Sequence, residues 1–517
     1  MLSMRGISIA LLLVFVGFIV PAANLAATGR TGLEPATALP AAQPAQEAFV
    51  PSVYDRLLDA QLRAIIAENG LLGDPSIGRD LPQISDPMAQ LGKKLFFSKA
   101  LSGNKDVACA TCHVPTLGGG DNLSLPIGVG ATDIEWLGPG RAHPTGAPTV
   151  PRNAPTTFNI AMWDRVQFWD GRVESLGKTP GLEGADGLGI RTPDSPFGVA
   201  DPLAGKNLTI AQARFPVTSV EEMLGEVMEH GQPRDLVRTH LASRIGGYGI
   251  GLWELEVNEW PEECRTVLPE ESGAPEMITF DLITEAIGAY ERSQVFVDTP
   301  WKAFVEGDDM ALSPAAKRGA LLFYQNAEQG GADCARCHGG DFFTDEEFYV
   351  LAIPQVGPGK DNGPLGDDDF GRFRETQNPD DLYAFRTPTL LNVEATGPWG
   401  HSGAYMTLEG VIRHHLNPAQ AVASYDADQL DAGVQLVSME NNTQAALTQW
   451  QTLLDSGLPT VRPIHLTDRQ VNDLVEFMRA LTDPCVLDAA CLAPWMPAHE
   501  DRDPDGLRLT LRMAGTN

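Results

Sequence analysis

Cys109-Ala110-Thr111-Cys112-His113 and Cys334-Ala335-Arg336-Cys337-His338 constrain this chain more than any other stretch. C-x-x-C-H is the attachment signature of c-type haem. Two thiols add across the porphyrin vinyl groups, and the histidine that follows faces the iron. The spacing matters because both sulfurs must reach one edge of the macrocycle while an imidazole sits beneath the metal. A redox disulfide and half of a zinc site are the bland alternatives. The same pattern arising twice in a chain with seven cysteines makes haem the better account. The question that remains is what stands on the other face of each iron.

At 517 residues the chain is long enough for two or three domains with separate cores. It carries 68 acidic and 37 basic side chains, a formal charge of -31. That balance argues against nucleic acid as a partner. It suits a basic partner such as a positively charged electron donor, or simply a solvated acidic surface. The start reads Met1-Leu2-Ser3-Met4-Arg5, then an apolar run from Ile7 to Val20, then Pro21-Ala22-Ala23-Asn24-Leu25-Ala26-Ala27. This is the layout of a signal peptide over residues 1–27, cleaved near Ala26 or Ala27, and it predicts a periplasmic protein. An uncleaved anchor is the alternative, although the run is short for a span. No second membrane segment is expected, hence no stable span after processing. Export also fits c-type haem, which bacteria attach outside the inner membrane. Four cysteines go to haem; Cys485 and Cys491 are spaced for a short-loop disulfide, and Cys264 reads as a buried free thiol.

Residues 28–52 are rich in Ala, Pro, Thr and Gly and read as a linker. Apolar spacing predicts helices over Val53–Asn69, Met88–Phe97, Ser219–His230, Pro275–Val297, Ala315–Tyr324, Leu408–His415, Ala427–Val437 and Asp468–Leu481. Residues 113–155 and 356–381 read as long loops. Each half thus repeats one unit: a lead-in helix, C-x-x-C-H, an irregular loop and closing helices. The expected fold is mostly α, with low strand content and two class I cytochrome c-like domains, each holding one covalently attached haem. The expected divisions are 1–27 signal peptide, 28–80 linker and N-terminal helical extension, 81–305 first domain, 306–483 second domain and 484–517 C-terminal arm.

The flanks add Leu91-Gly92-Lys93-Lys94-Leu95-Phe96-Phe97, Leu101-Ser102-Gly103, Pro151-Arg152-Asn153-Ala154-Pro155-Thr156 and Gln167-Phe168-Trp169-Asp170-Gly171-Arg172 in the first half. The second half adds Arg386-Thr387-Pro388-Thr389-Leu390-Leu391-Asn392 and Thr396-Gly397-Pro398-Trp399-Gly400-His401-Ser402-Gly403. In this order, over residues 88–480, the chain resembles the bacterial dihaem cytochrome c peroxidase/MauG superfamily. The resemblance implies that the first haem reacts with peroxide and the second relays electrons. In typical members an Ile-Gly-His-Gly loop, sixteen residues past the proximal histidine, caps the first iron. Here the loop is Ile127-Gly128-Val129-Gly130, and valine cannot ligate iron, so the first iron is expected to be five-coordinate or weakly water-bound. His143 is an alternative cap.

The resemblance also carries over an acid–base glutamate before a methionine, Glu222 before Met223, with Glu221 the nearest competitor. It makes Trp169 the tryptophan between the haems, with core packing the plain alternative, and gives His401 a supporting hydrogen bond in the second pocket. The second iron's distal ligand lies fourteen residues past His401, which is His415 here, where relatives hold methionine or tyrosine. A register slip would make it His414, and a solvated histidine pair is the unremarkable alternative. One calcium is implied at Asn153, Thr396 and Pro398, an oxygen-only set. The function implied is reduction of hydrogen peroxide with electrons from a small cytochrome c or cupredoxin. The alternative is a MauG-like enzyme that stores oxidising equivalents on two haems to oxidise a protein or organic substrate. A plain dihaem electron carrier is the third reading, disfavoured because a carrier gains from two closed irons.

Overall fold

A glycine on one face of a helix lets a second backbone approach within van der Waals contact, and two such glycines organise this fold. The computed structural model describes residues 53–514 apart from 230, 252 and 269–277. The expected signal segment and the linker after it lie outside the described residues, as does Pro275. The helices that frame the sites are α1 (Val53–Asn69), α2 (Pro87–Phe97), α3 (Phe280–Arg292), α4 (Pro314–Tyr324), α5 (Leu408–Leu416), α6 (Met439–Asp455) and α7 (Asp468–Arg479); a further helix, Arg234–Gly246, is not predicted by the apolar spacing. Their starts follow the capping rules. Proline opens α2 and α4, where its missing N–H costs nothing. The Ser313 side chain accepts from Ala316 N, and Thr467 with Gln470 forms a capping box on α7.

Helix α2 packs on α3, burying Leu91, Leu95 and Phe96 against Ile283, Ile287 and Tyr290. A Cβ at Gly92 would overlap the Ala286 carbonyl oxygen. Helix α4 packs on α7 in the same way, burying Ala320 and Phe323 against Val471, Leu474 and Phe477, and a Cβ at Gly319 would overlap the Asp473 carbonyl oxygen. Each pair anchors its own buried cluster.

The two ends of the described chain cross over between these clusters. Helix α1 joins the α4–α7 cluster through Leu58 and Leu62, and Asp59 pairs with Lys317 at 2.5 Å. The C-terminal arm, with Cys485 and Cys491 in a disulfide, joins the α2–α3 cluster. There Asp505 accepts from Ser98 Oγ and Trp260 Nε1, both at 2.7 Å, and Leu509 is buried. Cys264 is a buried free thiol in that same cluster.

Strands are few. A three-stranded antiparallel sheet joins β1 (Val166–Gln167), β2 (Val173–Ser175) and β3 (Ile190–Arg191); β4 (Phe348–Val350) pairs antiparallel with β5 (Ala384–Arg386). At 39% helix and 5% strand the chain is mostly helical, as its sequence predicts. No described helix is long and apolar enough to cross a membrane.

Two expected helices do not form. Over 219–230 only a π-helical turn, Val220–Leu224, is present, ended by Gly225 at φ 72°; His230 lies outside the described residues. Over 427–437 a single 3-10 turn, Ala427–Gln429, is followed by Gly433, whose φ of 90° and close approach to the Gly146 carbonyl break the run. Helix α6, missed by the apolar spacing, follows instead.

Candidate haem sites

Both C-x-x-C-H segments form one 3-10 turn with the same internal bonds. His113 N donates to Cys109 O at 3.1 Å, and His338 N to Cys334 O at 2.8 Å. The four cysteines are free thiols, so neither pair is consumed as a disulfide. His113 Nδ1 is 3.2 Å from Gly119 O, and His338 Nδ1 is 3.2 Å from Phe343 O. A carbonyl can only accept, so each Nδ1 carries the proton and each Nε2 presents a lone pair. Burial pushes both imidazoles below their usual basicity, His338 down to about 4 with His415 adding to the effect. Neutral imidazole is the form a metal takes.

Beside the second turn is a cavity of about 620 Å³ lined by Cys334, Cys337, His338 and His415. His415, near the end of α5, faces His338 with ring centres 6.3 Å apart and planes at 56°. A separation of roughly 6 Å would let the two imidazoles hold one metal between them, each through a bond of about 2 Å. His415 Nδ1 is 2.8 Å from Val411 O, leaving its Nε2 as the bare nitrogen. His414 differs: its Nε2 is 2.6 Å from Leu351 O and its Nδ1 2.6 Å from the Tyr405 hydroxyl, so both nitrogens are occupied away from the cavity. The donor set here fits a haem held from both faces. His401 also lines this cavity, buried to 3% exposure and stacked on Phe385 at 3.6 Å, with no hydrogen-bond partner at Nε2.

Close to the first turn, where its charge acts on Cys112, Glu222 sits in an element built from pieces that sequence motifs named without explaining. The π-helical turn Val220–Leu224 is held between two glycines. A Cβ at Gly103 would overlap Leu224 O, and one at Gly128 would overlap Glu221 O. Gly103 N donates to Met223 O at 2.8 Å and Val129 N to Glu221 O at 3.3 Å. The Leu-Ser-Gly and Ile-Gly-x-Gly motifs are therefore the two walls of the Glu222 turn. The signal was present in the sequence as paired glycines, but the helical pattern over 219–230 concealed it; π turns of this kind recur at functional sites. Glu221 is exposed and accepts from Ser219 Oγ at 2.9 Å. Glu222 is half-buried, and burial raises its pKa, opposed by the charges of Arg172, Lys360 and Arg152. His143 Nδ1 is 2.7 Å from Thr145 Oγ1, and its ring lies against Gly130, next to Val129.

Between the two turns runs a buried polar seam. Trp169 Nε1 donates to Asn153 O at 2.9 Å, while Trp169 O accepts from Arg386 N at 2.9 Å, so the first half fixes the indole, the second half fixes the backbone that carries it, and the residue lines the second cavity. Asn153 Nδ2 donates to Leu123 O at 3.0 Å and Ser124 O at 3.3 Å, and Asn153 N donates to His401 O. Asn153, Thr396 and Pro398 line the same cavity. Among the described residues no cluster of three or more His, Cys, Asp or Glu side chains forms a metal site. Arg152, which the sequence showed only as part of a motif, forks onto Asp369 at 2.6 and 2.8 Å and reaches Asp170 at 2.6 Å. Burial alone would raise the Asp369 acid, but Arg152 holds it at about 2.

The family model for di-haem cytochrome c peroxidase matches residues 86–310. Cytochrome c551 peroxidase of Pseudomonas aeruginosa is 29% identical over 329 residues, 64% of this chain and 71% of that protein. Methylamine utilization protein MauG of Methylorubrum extorquens is 28% identical over 326 residues, 63% of this chain and 67% of that protein. The crystal structure of a MauG-like protein associated with microbial copper homeostasis superposes with a TM-score of 0.50 at 22% identity, covering 82% of this chain and 97% of that one, a likeness of fold. With the haem turns, the mostly helical fold and these relatives in agreement, the chain belongs to the bacterial dihaem cytochrome c peroxidase/MauG superfamily.

Proposed function

We propose that the chain reduces hydrogen peroxide with electrons from a small cytochrome c or cupredoxin, using two covalently bound c-type haems. The first would be attached at Cys109 and Cys112 with His113 below its iron. The second would be attached at Cys334 and Cys337 between His338 and His415. When bound, the haems supply the electron chemistry. The observation that carries the reading is the placement of Val129: a residue whose side chain has no donor atom is tied through its N–H to the Glu222 turn, and we read that turn as the peroxide side of the first haem. Peroxide can then approach without a protein ligand having to leave.

The chain's own part is proton handling and alignment. Glu222 takes the proton from the approaching peroxide and returns it to the departing oxygen, the work of a positioned carboxyl. Burial favours its protonated form, while the charges of Arg172, Lys360 and Arg152 oppose that. Trp169, fixed at its indole N–H and its carbonyl, offers an electron path along the seam. His401 presents its free Nε2 to the second cavity. Asn153 fits a calcium ligand because its amide N–H groups face two carbonyls, which turns Oδ1 the other way; Thr396 and Pro398 would add oxygens from the second half. We take 81–305 and 306–483 as the two haem domains and the periplasm as the site of action, after removal of 1–27.

The MauG-like reading has its own support. Paired imidazoles at His338 and His415 donate more strongly to oxidised iron than a thioether does and would help the second haem hold charge. One experiment separates the readings. One equivalent of hydrogen peroxide is added to the fully oxidised holoprotein without a donor and followed by rapid-mixing absorption. Reaction is expected without prior reduction. Subsequent turnover with a reduced small cytochrome c or cupredoxin marks the peroxidase, and selective oxidation of a co-exported protein marks the MauG-like enzyme. A requirement for reduction before any reaction would remove the open-iron reading.

A further inference from the structure

We infer that Tyr349, with Asp345 as its proton partner, is a one-electron relay between the second haem cavity and the protein surface. Strand β4 carries Tyr349 into the wall of the cavity that Cys337, His338 and His415 share, and the residue is only half-buried. Its hydroxyl donates to Asp345 Oδ2 at 2.8 Å. Asp345 is fixed in turn: its N–H donates to Cys337 O at 2.8 Å, and its Oδ1 accepts from Glu347 N at 2.9 Å. One short stretch therefore binds the haem-linking cysteine, a phenol and a proton acceptor into a single rigid unit.

The chemistry follows from that geometry. Burial, and next the hydrogen bond to Asp345, push the phenol's ionisation well above its ordinary value, so Tyr349 remains a neutral phenol. A neutral phenol gives up an electron readily only if its proton leaves at the same time, and the Asp345 carboxylate stands ready to receive it. Reduction of hydrogen peroxide to two waters takes two electrons and two protons. The electrons would pass singly through Tyr349, its phenol proton moving to Asp345 as each one leaves, so that two cycles of the relay supply both electrons while the two protons that complete the waters come from solvent. A one-electron reductant at the surface then restores the electron, and Asp345 returns the proton.

Two other tyrosines bond through their hydroxyls to an ionisable side chain, in a different situation. Tyr383 donates to Asp368 Oδ2 at 2.8 Å, and Tyr405 is 2.6 Å from His414 Nδ1. Both are only 5% exposed, so neither can meet an external donor. Tyr383 also lines the cavity, which makes it the natural control.

The inference rests on the peroxide reading above, and the test keeps the two apart. Oxidised holoprotein carrying ring-deuterated tyrosine is mixed with hydrogen peroxide, followed by absorption and sampled by freeze-quench electron paramagnetic resonance. We expect a tyrosyl signal, narrowed by deuteration, that is lost in Tyr349→Phe and retained in Tyr383→Phe. Asp345→Asn, with both haem absorption bands intact, should slow the appearance of the signal roughly tenfold or more. A changed haem spectrum with no tyrosyl signal, or with an undiminished signal in Tyr349→Phe, overturns the relay alone. A haem spectrum indifferent to peroxide overturns both readings.

Discussion

The two halves of this chain use the same frame and differ on one face. Each has a helix crossing closed by a glycine, Gly92 under α3 and Gly319 under α7. Each has a 3-10 turn that aims a neutral histidine through a carbonyl-bound Nδ1, His113 and His338. The opposite faces diverge. In the second half α5 brings His415 to 6.3 Å from His338. In the first, Val129, which carries no donor atom on its side chain, is bonded through its N–H to the turn that holds the half-buried Glu222. On the function proposed above, the supporting helices would determine where a haem can sit, while a loop and a single turn would determine what the iron there can do.

The sharpest way to break this comparison is to remove one element of the distal face at a time. Glu222→Gln should slow the reaction of the oxidised protein with peroxide by roughly 10²- to 10⁴-fold, the usual worth of a positioned acid–base group, with the haem spectra unchanged. Glu221→Gln should have little effect, because that carboxylate is exposed and tied to Ser219. Equal losses in the two variants would mean that the turn matters for its fold and not for its acid. Val129→His is the reciprocal change. It should make both oxidised haems low-spin by electron paramagnetic resonance, giving the first half the closed character of the second. On the other side, His415→Ala should abolish the low-spin signal while His414→Ala leaves it. The reverse result would shift the ligand by one residue.

Much of this was legible before any coordinates. The attachment turns follow from C-x-x-C-H alone, and helices α1, α2, α4, α5 and α7 follow from apolar spacing and caps. The choice between His414 and His415 was not, because adjacent histidines on a helix differ only in direction; it takes the Leu351 and Tyr405 contacts to show His414 occupied. The Glu222 turn was misjudged for a related reason. A five-residue π turn contains the same apolar residues as a short helix, and only the tight approach of Gly103 and Gly128 reveals that the chain must bend there. The crossing over of the described ends was equally hidden. Nothing in the sequence of α1 says that Leu62 packs with Phe323 rather than with its nearer neighbours in the chain.

A smaller effect tests whether the two frames are equivalent. Alanine at Gly92 or at Gly319 would drive a methyl group into a backbone carbonyl. Each substitution should destabilise its own half by about 1–3 kcal/mol, the range for overpacking. Thermal unfolding monitored at each haem's absorption would show which half loosens first. A loss at only one glycine would show that the crossings are not the same device.

The smallest expected effect concerns the seam between the halves, and its sign can be worked out. Asp369 sits in the second half and Arg152 in the first, joined by two hydrogen bonds at 2.6 and 2.8 Å. Burial alone would raise this acid, yet Arg152 holds it at about 2, against an ordinary value of 3.8. A carboxyl with a depressed folded-state pKa contributes stability that is complete above its unfolded value. That contribution is lost as pH falls through the folded one. The contribution of Asp369 should therefore be whole above about pH 4 and fade as the pH drops towards 2, on the order of 2 kcal/mol in all. Asp369→Asn should flatten this acid limb in denaturant titrations across the same window, because Arg152 keeps Asp170 but loses its partner from the second half. Should the acid limb survive unchanged in Asp369→Asn, the seam would be a consequence of the halves' packing and not a tie between them. If it flattens while each haem's own spectrum holds, the charge pair joins two frames that are otherwise separately built.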